Sequence, residues 1–319
     1  MPFRVRLTTL VNVAVTGGTG FIGRHVVAAL AAAGHEVTVV ARTVSPVAGA
    51  AQVVQGEVTD RAIGARFAGM DAIVHLAAIA DASLSAADPV GYTTVNALGT
   101  LNVLEGARQH GAGVVFASSQ RVYEPWHGPL REDGPLTPTT VYGWGKLAAE
   151  GWVTMYNQLY AVPTATLRLF SVYGPGQRTS GGVSGVVAIF AERALRGRDL
   201  AVHQRHLRDF IYVTDVAAAI VRTVERLRDS ALTTRVYNIG SGVGTGLDEL
   251  AEVVRERCGM AAQIAITSNG DDAERREEVY ATLDRAQEEL GWAPSIALTD
   301  GIDRYLTWLR PELAHEGRR

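Results

Sequence analysis

The motif TGGTGFIG occupies residues 16–23, between an apolar segment, Val11 to Thr16, and an alanine-rich segment, Phe21 to Ala33. The apolar segment predicts a buried strand, and the alanine-rich segment predicts a helix. Glycines recur at every third position, which suits a tight turn, close approach of a pyrophosphate and close packing of helix on strand. The helix N-terminus would hold the anion. We therefore predict a dinucleotide-binding turn formed by Gly17, Gly20, Phe21, Ile22 and Gly23.

Strand-like and helix-like patterns alternate on the C-terminal side of this motif. Buried strands are predicted at 36–41 and near 51–55, 71–76, 113–118 and 163–170, with helices near 89–110 and 142–160. Apolar strands joined by helical crossovers are typical of a parallel sheet covered on both faces. The fold class is therefore α/β, a Rossmann-like doubly wound parallel sheet. Beyond Pro175 the pattern loosens, with helices predicted at 186–195 and near 214–229, 246–258 and 299–310.

Composition narrows the classes of function. The chain has 319 residues, 47% hydrophobic and 20% charged, which excludes a disordered or collagen-like protein. A net charge of -3 provides no general attraction for nucleic acid or an anionic membrane, so an anionic ligand needs a local site. One cysteine, Cys258, excludes an intrachain disulfide and a cysteine-cluster metal site. The apolar run 10–15 is too short to span a bilayer. We expect a cytoplasmic protein with a short leader and no metal.

The ends of the next strands bear on the choice of cofactor. No acidic residue stands at the tip of the second strand, where one would bind a ribose 2'-hydroxyl; Arg42 stands there instead. Arg42 either accommodates a 2'-phosphate, which favours NADP over NAD, or is a solvated loop residue. Glu57 and Val58 are expected to flank the adenine. The fourth strand ends at His75, which we expect to be a histidine near the core with its hydrogen bonds satisfied. The next residues, Leu76, Ala77 and Ala78, are expected to line the cofactor crevice.

A third group of residues predicts the chemistry. Ser119 ends a strand, and Tyr142 and Lys146 lie four positions apart at the start of a helix, hence on one helical face. A phenol serves as an acid–base group near neutral pH when cations stabilise its phenolate, and Lys146 and an oxidised nicotinamide would do so. Ser119 would bind the same substrate oxygen. These three residues are the candidate catalytic residues.

With these motifs in place, the chain resembles the extended short-chain dehydrogenases/reductases of the NAD-dependent epimerase/dehydratase family, most of which modify nucleotide sugars. The resemblance spans about Val11 to Leu309. Besides TGGTGFIG it rests on HLAA at 75–78, VNALGTLNVLEGAR at 95–108, SSQRVY at 118–123, YGWGK at 142–146, LRLFSVYGPGQR at 167–178, RDFIYVTDVA at 208–217, VYNIGSG at 236–242 and LGW at 290–292.

The resemblance implies a smaller C-terminal α/β domain that binds the nucleotide sugar. We expect residues 1–172 plus about 208–242 to form the dinucleotide domain and residues 173–207 plus 243–319 to form the interlocked substrate domain. It also implies Ser119, Tyr142 and Lys146 as the catalytic triad, with Asn96 near the cofactor or its proton path. A homodimer is expected, in which the helices near 89–110 and 142–160 pair into a four-helix bundle.

Departures from the family pattern narrow the reaction. Dehydratases of the family carry an Asp-Glu pair after the serine, where this chain has Gln120 and Arg121. Decarboxylases also place Glu at the second of these positions, so elimination and decarboxylation are disfavoured and simple hydride chemistry remains. Ser171 stands where many relatives have asparagine; uronate 4-epimerases resemble this chain there, with threonine or serine at that position. The expected substrate contacts are Ser119, Gln120, Ser171, Arg178, Arg208 and Arg275, with a structural salt bridge as the alternative for each of the last two arginines.

Three functions follow. The first is a nucleotide-sugar 4-epimerase acting on a UDP- or dTDP-linked hexose or uronate: Tyr142 removes a hydroxyl proton, hydride passes to a bound nicotinamide, and the keto sugar rotates and takes hydride back. The second is an NADP(H)-dependent 4-ketoreductase of a nucleotide-linked keto-deoxysugar. The third is a non-catalytic, cofactor-sensing protein, against which the intact triad argues.

Overall fold

The computed structural model describes residues 11–123, 127–177, 179, 185–202, 206–229, 232, 235–259, 264–266 and 278–316. Its main element is a sheet of seven strands, all parallel: β1 Asn12–Thr16, β2 Glu36–Ala41, β3 Gln52–Gln55, β4 Ala72–His75, β5 Gly113–Ser119, β7 Thr164–Leu169 and β11 Val236–Ile239. Their spatial order is β11-β7-β5-β4-β1-β2-β3. The order 3-2-1-4-5 is that of the Rossmann fold, so the predicted fold class is confirmed.

Helices cover both faces of this sheet. On one face, α1 (Phe21–Ala32) packs against α6 (Val213–Arg226) around residues such as Leu30 and Ile220, which are both fully buried. On the other face, α3 (Gly99–His110) packs against α4 (Val141–Tyr160). The sheet is buried on both sides, which explains why its strands are nearly continuous apolar runs.

Five other strands form a second, separate sheet. Its strands are β6 His127–Leu130, β8 Ser171–Tyr173, β10 Leu207–Tyr212, β12 Gly244–Gly246 and β14 Glu278–Ala281. A separate parallel pair consists of β9 Leu200–Val202 and β13 Ile264–Ile266. Helices α5 (Val186–Leu195), α7 (Leu247–Cys258) and α8 (Leu298–Glu316) enclose a second hydrophobic core with β9 and β10.

The chain crosses between the two parts more often than the sequence pattern indicates. The strand β10, which the predicted division places with the dinucleotide domain, pairs with β8, β12 and β14 in the second sheet. The following α6 and β11 return to the first sheet. Likewise β6, from the predicted dinucleotide part, pairs with β14.

The helix predicted near 89–110 is interrupted. It consists of α2 (Pro89–Thr93), a π-helical turn at Thr94–Leu98 and α3. A π turn inserts one residue into the helical hydrogen-bond pattern, which periodicity alone does not reveal. None of the helices that the structure describes is both long and apolar enough to cross a lipid bilayer.

Candidate active site

The glycine motif forms the turn between β1 and α1. Gly17 has φ +73°, and a Cβ there would lie 2.7 Å from the backbone nitrogen of Ala77. Its carbonyl oxygen accepts a hydrogen bond of 3.0 Å from the Gly20 N–H, which closes the turn at the start of α1. A Cβ at Gly23 would overlap the same carbonyl. The turn therefore brings bare backbone to the N-terminus of α1, the geometry that a pyrophosphate requires.

A cavity of about 500 Å³ opens beside this turn, at the carboxyl ends of β1 and β4. These are the strands at which the chain order of the sheet reverses, the usual ligand position in an open α/β sheet. The cavity is lined by eleven of the predicted cofactor residues: Gly17, Gly20, Phe21, Ile22, Gly23, Arg42, Glu57, Val58, Leu76, Ala77 and Ala78. The glycine turn and the cavity beside it together fit a dinucleotide.

Asn96 does not line this cavity. It is 1% exposed in the π-helical turn, and its side-chain amide binds the backbone of Ile79 on both sides. The Ile79 N–H donates to Asn96 Oδ1 at 2.9 Å, and Asn96 Nδ2 donates to the Ile79 carbonyl at 2.9 Å. Because Ile79 itself lines the cavity, Asn96 shapes the wall through that residue.

His75 at the end of β4 is the satisfied near-core histidine that the sequence predicts. Its Nδ1 lies 2.7 Å from Thr16 Oγ1, and its Nε2 lies 3.0 Å from Thr100 Oγ1. Thr100 donates its own proton to the Asn96 carbonyl at 2.8 Å, so Thr100 Oγ1 accepts from His75. Nε2 of His75 therefore carries a proton. Burial, aided by the charge of Lys146, lowers the pKa of His75 to about 3.

The three candidate catalytic residues line the same cavity. Ser119 is the last residue of β5, and Tyr142 and Lys146 lie on the first turns of α4. The helix begins there because the Thr140 side chain accepts a hydrogen bond of 3.1 Å from the Gly143 N–H. The structure thus brings the predicted serine on β5 together with the tyrosine and lysine on α4, which lie more than 20 residues later in the sequence.

The electrostatics of this group differ from the expectation in one respect. Burial raises the pKa of Tyr142; a hydrogen bond with Ser119 and the charge of Arg121 oppose that shift without cancelling it. Lys146 donates a hydrogen bond of 2.7 Å to the carbonyl oxygen of Ala117, a contact that the sequence did not indicate. Burial lowers the pKa of Lys146 itself to about 8, although the charge of Glu150 opposes the shift.

A second cavity, of about 300 Å³, shares Val172 and Gln177 with the first. Three of the predicted substrate residues, Gln120, Ser171 and Arg208, line it. The Gln120 side-chain amide donates to Ser171 Oγ at 3.3 Å. Arg178 and Arg275, the other two predicted contacts on this side, lie outside the described residues.

Sequence reasoning missed Gln177, which lies in the walls of both cavities and is 4% exposed. It belongs to the GPGQR segment, in which only the arginine was considered as a contact. Arg121, identified from the sequence only as a departure from dehydratases, also lines the second cavity. The described residues include no group of three His, Cys, Asp or Glu side chains placed to bind a metal ion.

Comparison with known proteins agrees with this geometry. The model of the NAD dependent epimerase/dehydratase family matches residues 13–240. The chain is 33% identical over 312 residues to the UDP-glucose 4-epimerase of Mycolicibacterium smegmatis, covering 93% of this chain and 97% of the relative. The crystal structure of a Thermotoga maritima UDP-glucose 4-epimerase with UDP-glucose superposes with a TM-score of 0.83 at 30% identity, covering 95% of this chain and 99% of the other.

A second solved structure is similar to the same extent. The UDP-glucose 4-epimerase of Thermus thermophilus, in complex with NAD, has a TM-score of 0.80 at 31% identity, covering 94% of this chain and 99% of the other. Both likenesses extend over nearly the whole chain and not over the glycine motif alone. This chain therefore belongs to the NAD-dependent epimerase/dehydratase family.

Proposed function

We propose that this chain is a nucleotide-sugar 4-epimerase that uses a bound NAD, with a UDP- or dTDP-linked hexose or uronate as its substrate. The observation that carries the proposal is that Ser119, Tyr142 and Lys146 line the cavity formed by the glycine turn, and that a second cavity adjoins it. UDP-glucose in the Thermotoga maritima relative and NAD in the Thermus thermophilus relative support the same pairing of ligands.

The proposed roles follow from position. Tyr142 accepts the proton of the sugar hydroxyl, and Ser119 donates a hydrogen bond to the developing carbonyl oxygen. Lys146 provides a positive charge beside them. Bound NAD supplies a reversible hydride acceptor and, in its oxidised form, a second positive charge. Because burial raises the pKa of Tyr142, these two charges, together with that of Arg121, would stabilise its phenolate.

The first cavity supports the predicted dinucleotide domain, because all of its lining residues except Gln177 fall within residues 1–172. We propose that residues 1–172 plus about 208–242 hold the dinucleotide, and that residues 173–207 plus 243–319 hold the nucleotide sugar together with three residues of the dinucleotide ranges. These are Gln120, Ser171 and Arg208, which would contact the sugar nucleotide from the second cavity. We also keep Arg178 and Arg275 as proposed contacts with the sugar acid or the diphosphate.

One observation favours a second function, an NADP(H)-dependent 4-ketoreductase. Arg42 is exposed and lines the first cavity after β2, where it could meet a 2'-phosphate. A reductase exchanges its cofactor at every turnover, whereas an epimerase regenerates and retains it.

The experiment that separates the two identifies the dinucleotide released from the denatured, purified protein by mass spectrometry. We expect tightly held NAD and interconversion of UDP-glucose and UDP-galactose without added cofactor. The same assay with dTDP-hexoses and UDP-glucuronate identifies the substrate. Protein isolated without a dinucleotide, with turnover that requires NADPH, would replace the epimerase by the reductase.

We further propose a homodimer built on α2, α3 and α4. Large apolar side chains are exposed on α2, on α4 and on the π turn between α2 and α3, and Trp144 on α4 is 54% exposed. Pairing with a second copy would cover them. The others are Val90, Leu98, Leu159 and Tyr160. Light scattering of Trp144→Glu, expected to be monomeric, tests this interface.

The lone cysteine, Cys258, agrees with the proposed cytoplasmic location.

A further inference from the structure

One face of α4 is joined to the end of β5 by three successive contacts. Tyr142 bonds with Ser119, and Lys146 donates to the Ala117 carbonyl at 2.7 Å. One turn later, Glu150 Oε1 accepts a hydrogen bond of 2.5 Å from Ser118 Oγ. Residues 142, 146 and 150 recur every four positions and so share a helical face. Glu150 therefore continues the row of side chains that begins with the two candidate catalytic residues of α4.

Glu150 is a buried carboxylate. It is 6% exposed, and Arg168 on β7, which is 3% exposed, binds both of its oxygens. The Arg168 Nη2 lies 2.7 Å from Oε2, and its Nε lies 3.0 Å from Oε1. A buried pair of this kind contributes little net stability compared with apolar residues, but breaking it leaves an uncompensated charge. The carboxylate is therefore held at a fixed place.

Arg168 is itself fixed on its far side. Its Nη1 donates to Tyr123 Oη at 2.9 Å and to the Glu132 carbonyl at 2.9 Å. Tyr123 in turn donates to Asn238 Oδ1 on β11 at 2.6 Å. The pair is thus anchored to three neighbouring segments of the fold and cannot rotate away from α4 without breaking them.

The sequence adds an independent observation. Lys146 is the only lysine in the sequence, and the other basic residues among the 30 Lys and Arg are all arginines. Arginine stays charged at all accessible pH values, whereas a buried lysine readily loses its proton. The protonation state of Lys146, unlike that of the arginines, therefore depends on its surroundings.

We propose that Glu150, held by Arg168, is a positioning residue that keeps Lys146 protonated and docked on the Ala117 carbonyl. This inference rests on the proposed function, in which Lys146 acts as a cation beside Tyr142. Glu150 touches neither cavity and acts through the lysine. Its charge opposes the lowering of the Lys146 pKa by burial.

Other ionisable groups lie around Lys146 or around its neighbours Tyr142 and Glu150. Tyr142 and Glu150 belong to α4, His75 ends β4, Arg168 lies on β7, and Arg121 follows β5. His75 is neutral over the working range, because its pKa is lowered to about 3. Tyr142 is neutral as well, because burial raises its pKa. Arg121 and Arg168 are positive, so Glu150 is the anion within this group.

The test measures the protonation of Lys146 directly. Protein grown with lysine labelled with carbon-13 at Cε gives one labelled side chain, and its chemical shift is followed from pH 6 to pH 11. In the wild type we expect a midpoint near the pKa of about 8. In Glu150→Gln we expect a midpoint lower by about one unit or more, because the nearby opposite charge is gone. The alkaline limb of kcat/KM should move in the same direction.

Ser118→Ala is the matched control, since it removes the hydrogen bond and keeps the carboxylate. It should leave the midpoint within a few tenths of a unit of the wild type. If Glu150→Gln does not fold, the double variant Glu150→Gln/Arg168→Gln leaves no unpaired interior charge and should still show a lowered midpoint, by a smaller amount because the positive charge of Arg168 is removed with the carboxylate. An unchanged midpoint in the folded Glu150 variant overturns the proposal, and so does an equal shift in Ser118→Ala. Because the titration needs no turnover, these outcomes are independent of whether the protein is an epimerase.

Discussion

The ammonium group of Lys146 donates a 2.7 Å hydrogen bond to the carbonyl oxygen of Ala117, two residues before Ser119 on β5. The bond crosses from α4 to the strand that carries the serine, so it fixes the distance between the two sides of the candidate site. It also keeps the lysine charge next to Tyr142, where the proposed proton transfer takes place. Loss of that charge should therefore be visible in the kinetics.

We predict that kcat/KM falls above about pH 8. Burial lowers the pKa of Lys146 to about 8, so the lysine is charged below this pH and neutral above it. The phenolate of Tyr142 then loses one of its stabilising cations. The measurement is a pH–rate profile with UDP-glucose. His75 titrates far below this range, with a pKa of about 3. A profile that stays flat to pH 10 contradicts the assigned role of Lys146.

Tyr142→Phe should lose at least about 100-fold in kcat, because it removes the proposed acid–base group. Bound NAD should be retained. The matched control is Tyr156→Phe on the same helix: Tyr156 is 6% exposed and its hydroxyl bonds with Glu105 at 3.1 Å, away from the cavity. It should keep kcat within a few-fold of the wild type. Turnover of Tyr142→Phe at the wild-type rate would reject the catalytic assignment.

Much of this site could be predicted because its determinants are local. The strand-turn-helix around Gly17 and the four-residue spacing of Tyr142 and Lys146 are written in consecutive residues, and the bounds predicted for β2 (36–41) and α5 (186–195) match the structure. Local spacing also fixes which residues share a helical face. It was enough to predict the turn and to place Tyr142 and Lys146 on one face of α4.

What sequence reasoning could not supply depends on contacts between distant segments. The Glu150–Arg168 pair joins a helix to a neighbouring strand, and no periodicity indicates which arginine meets which carboxylate. The pairing of β6 with β14 joins residues near 128 and 280. The role of Asn96 depends on a π turn that brings its amide to the backbone of Ile79. Each of these requires the three-dimensional arrangement.

His75 should make the folded protein sensitive to acid. Its pKa is lowered from an ordinary 6.5 to about 3. Between these two pH values His75 is therefore protonated in the unfolded chain and neutral in the folded protein. Stability is therefore lost as the pH falls from 6.5 toward 3, by about 2 kcal/mol at pH 5 from this group alone. Urea unfolding at pH 7 and pH 5 measures the loss. His75→Gln should lose less between the two values; equal losses would mean that His75 is not the group responsible.

Gly23→Ala should impair cofactor binding. A Cβ at this position would overlap the Gly17 carbonyl, so the turn or α1 must shift away from the pyrophosphate position. We expect at least tenfold less NAD in the purified protein, measured by chromatography after denaturation. Gly151→Ala on α4 is the control, because a Cβ there meets nothing within 4 Å. It should retain NAD and gain up to about 1 kcal/mol of stability from the higher helix propensity of alanine. NAD retained by both variants would remove the glycine turn from the binding site.

Arg42→Asp tests whether the exposed arginine after β2 contacts the adenosine ribose and distinguishes NADP from NAD. A carboxylate at this place accepts a hydrogen bond from a 2'-hydroxyl and repels a 2'-phosphate, so the ratio of NADP to NAD affinity should fall by about tenfold or more. Dissociation constants for both dinucleotides, measured by intrinsic fluorescence on protein stripped of cofactor, give this ratio. Arg61→Asp is the control, because Arg61 is equally exposed but does not line the cavity. It changes the net charge by the same amount and should leave the ratio unchanged. If Arg42→Asp also leaves the ratio unchanged, Arg42 is a solvated loop residue and the case for a reductase loses its support.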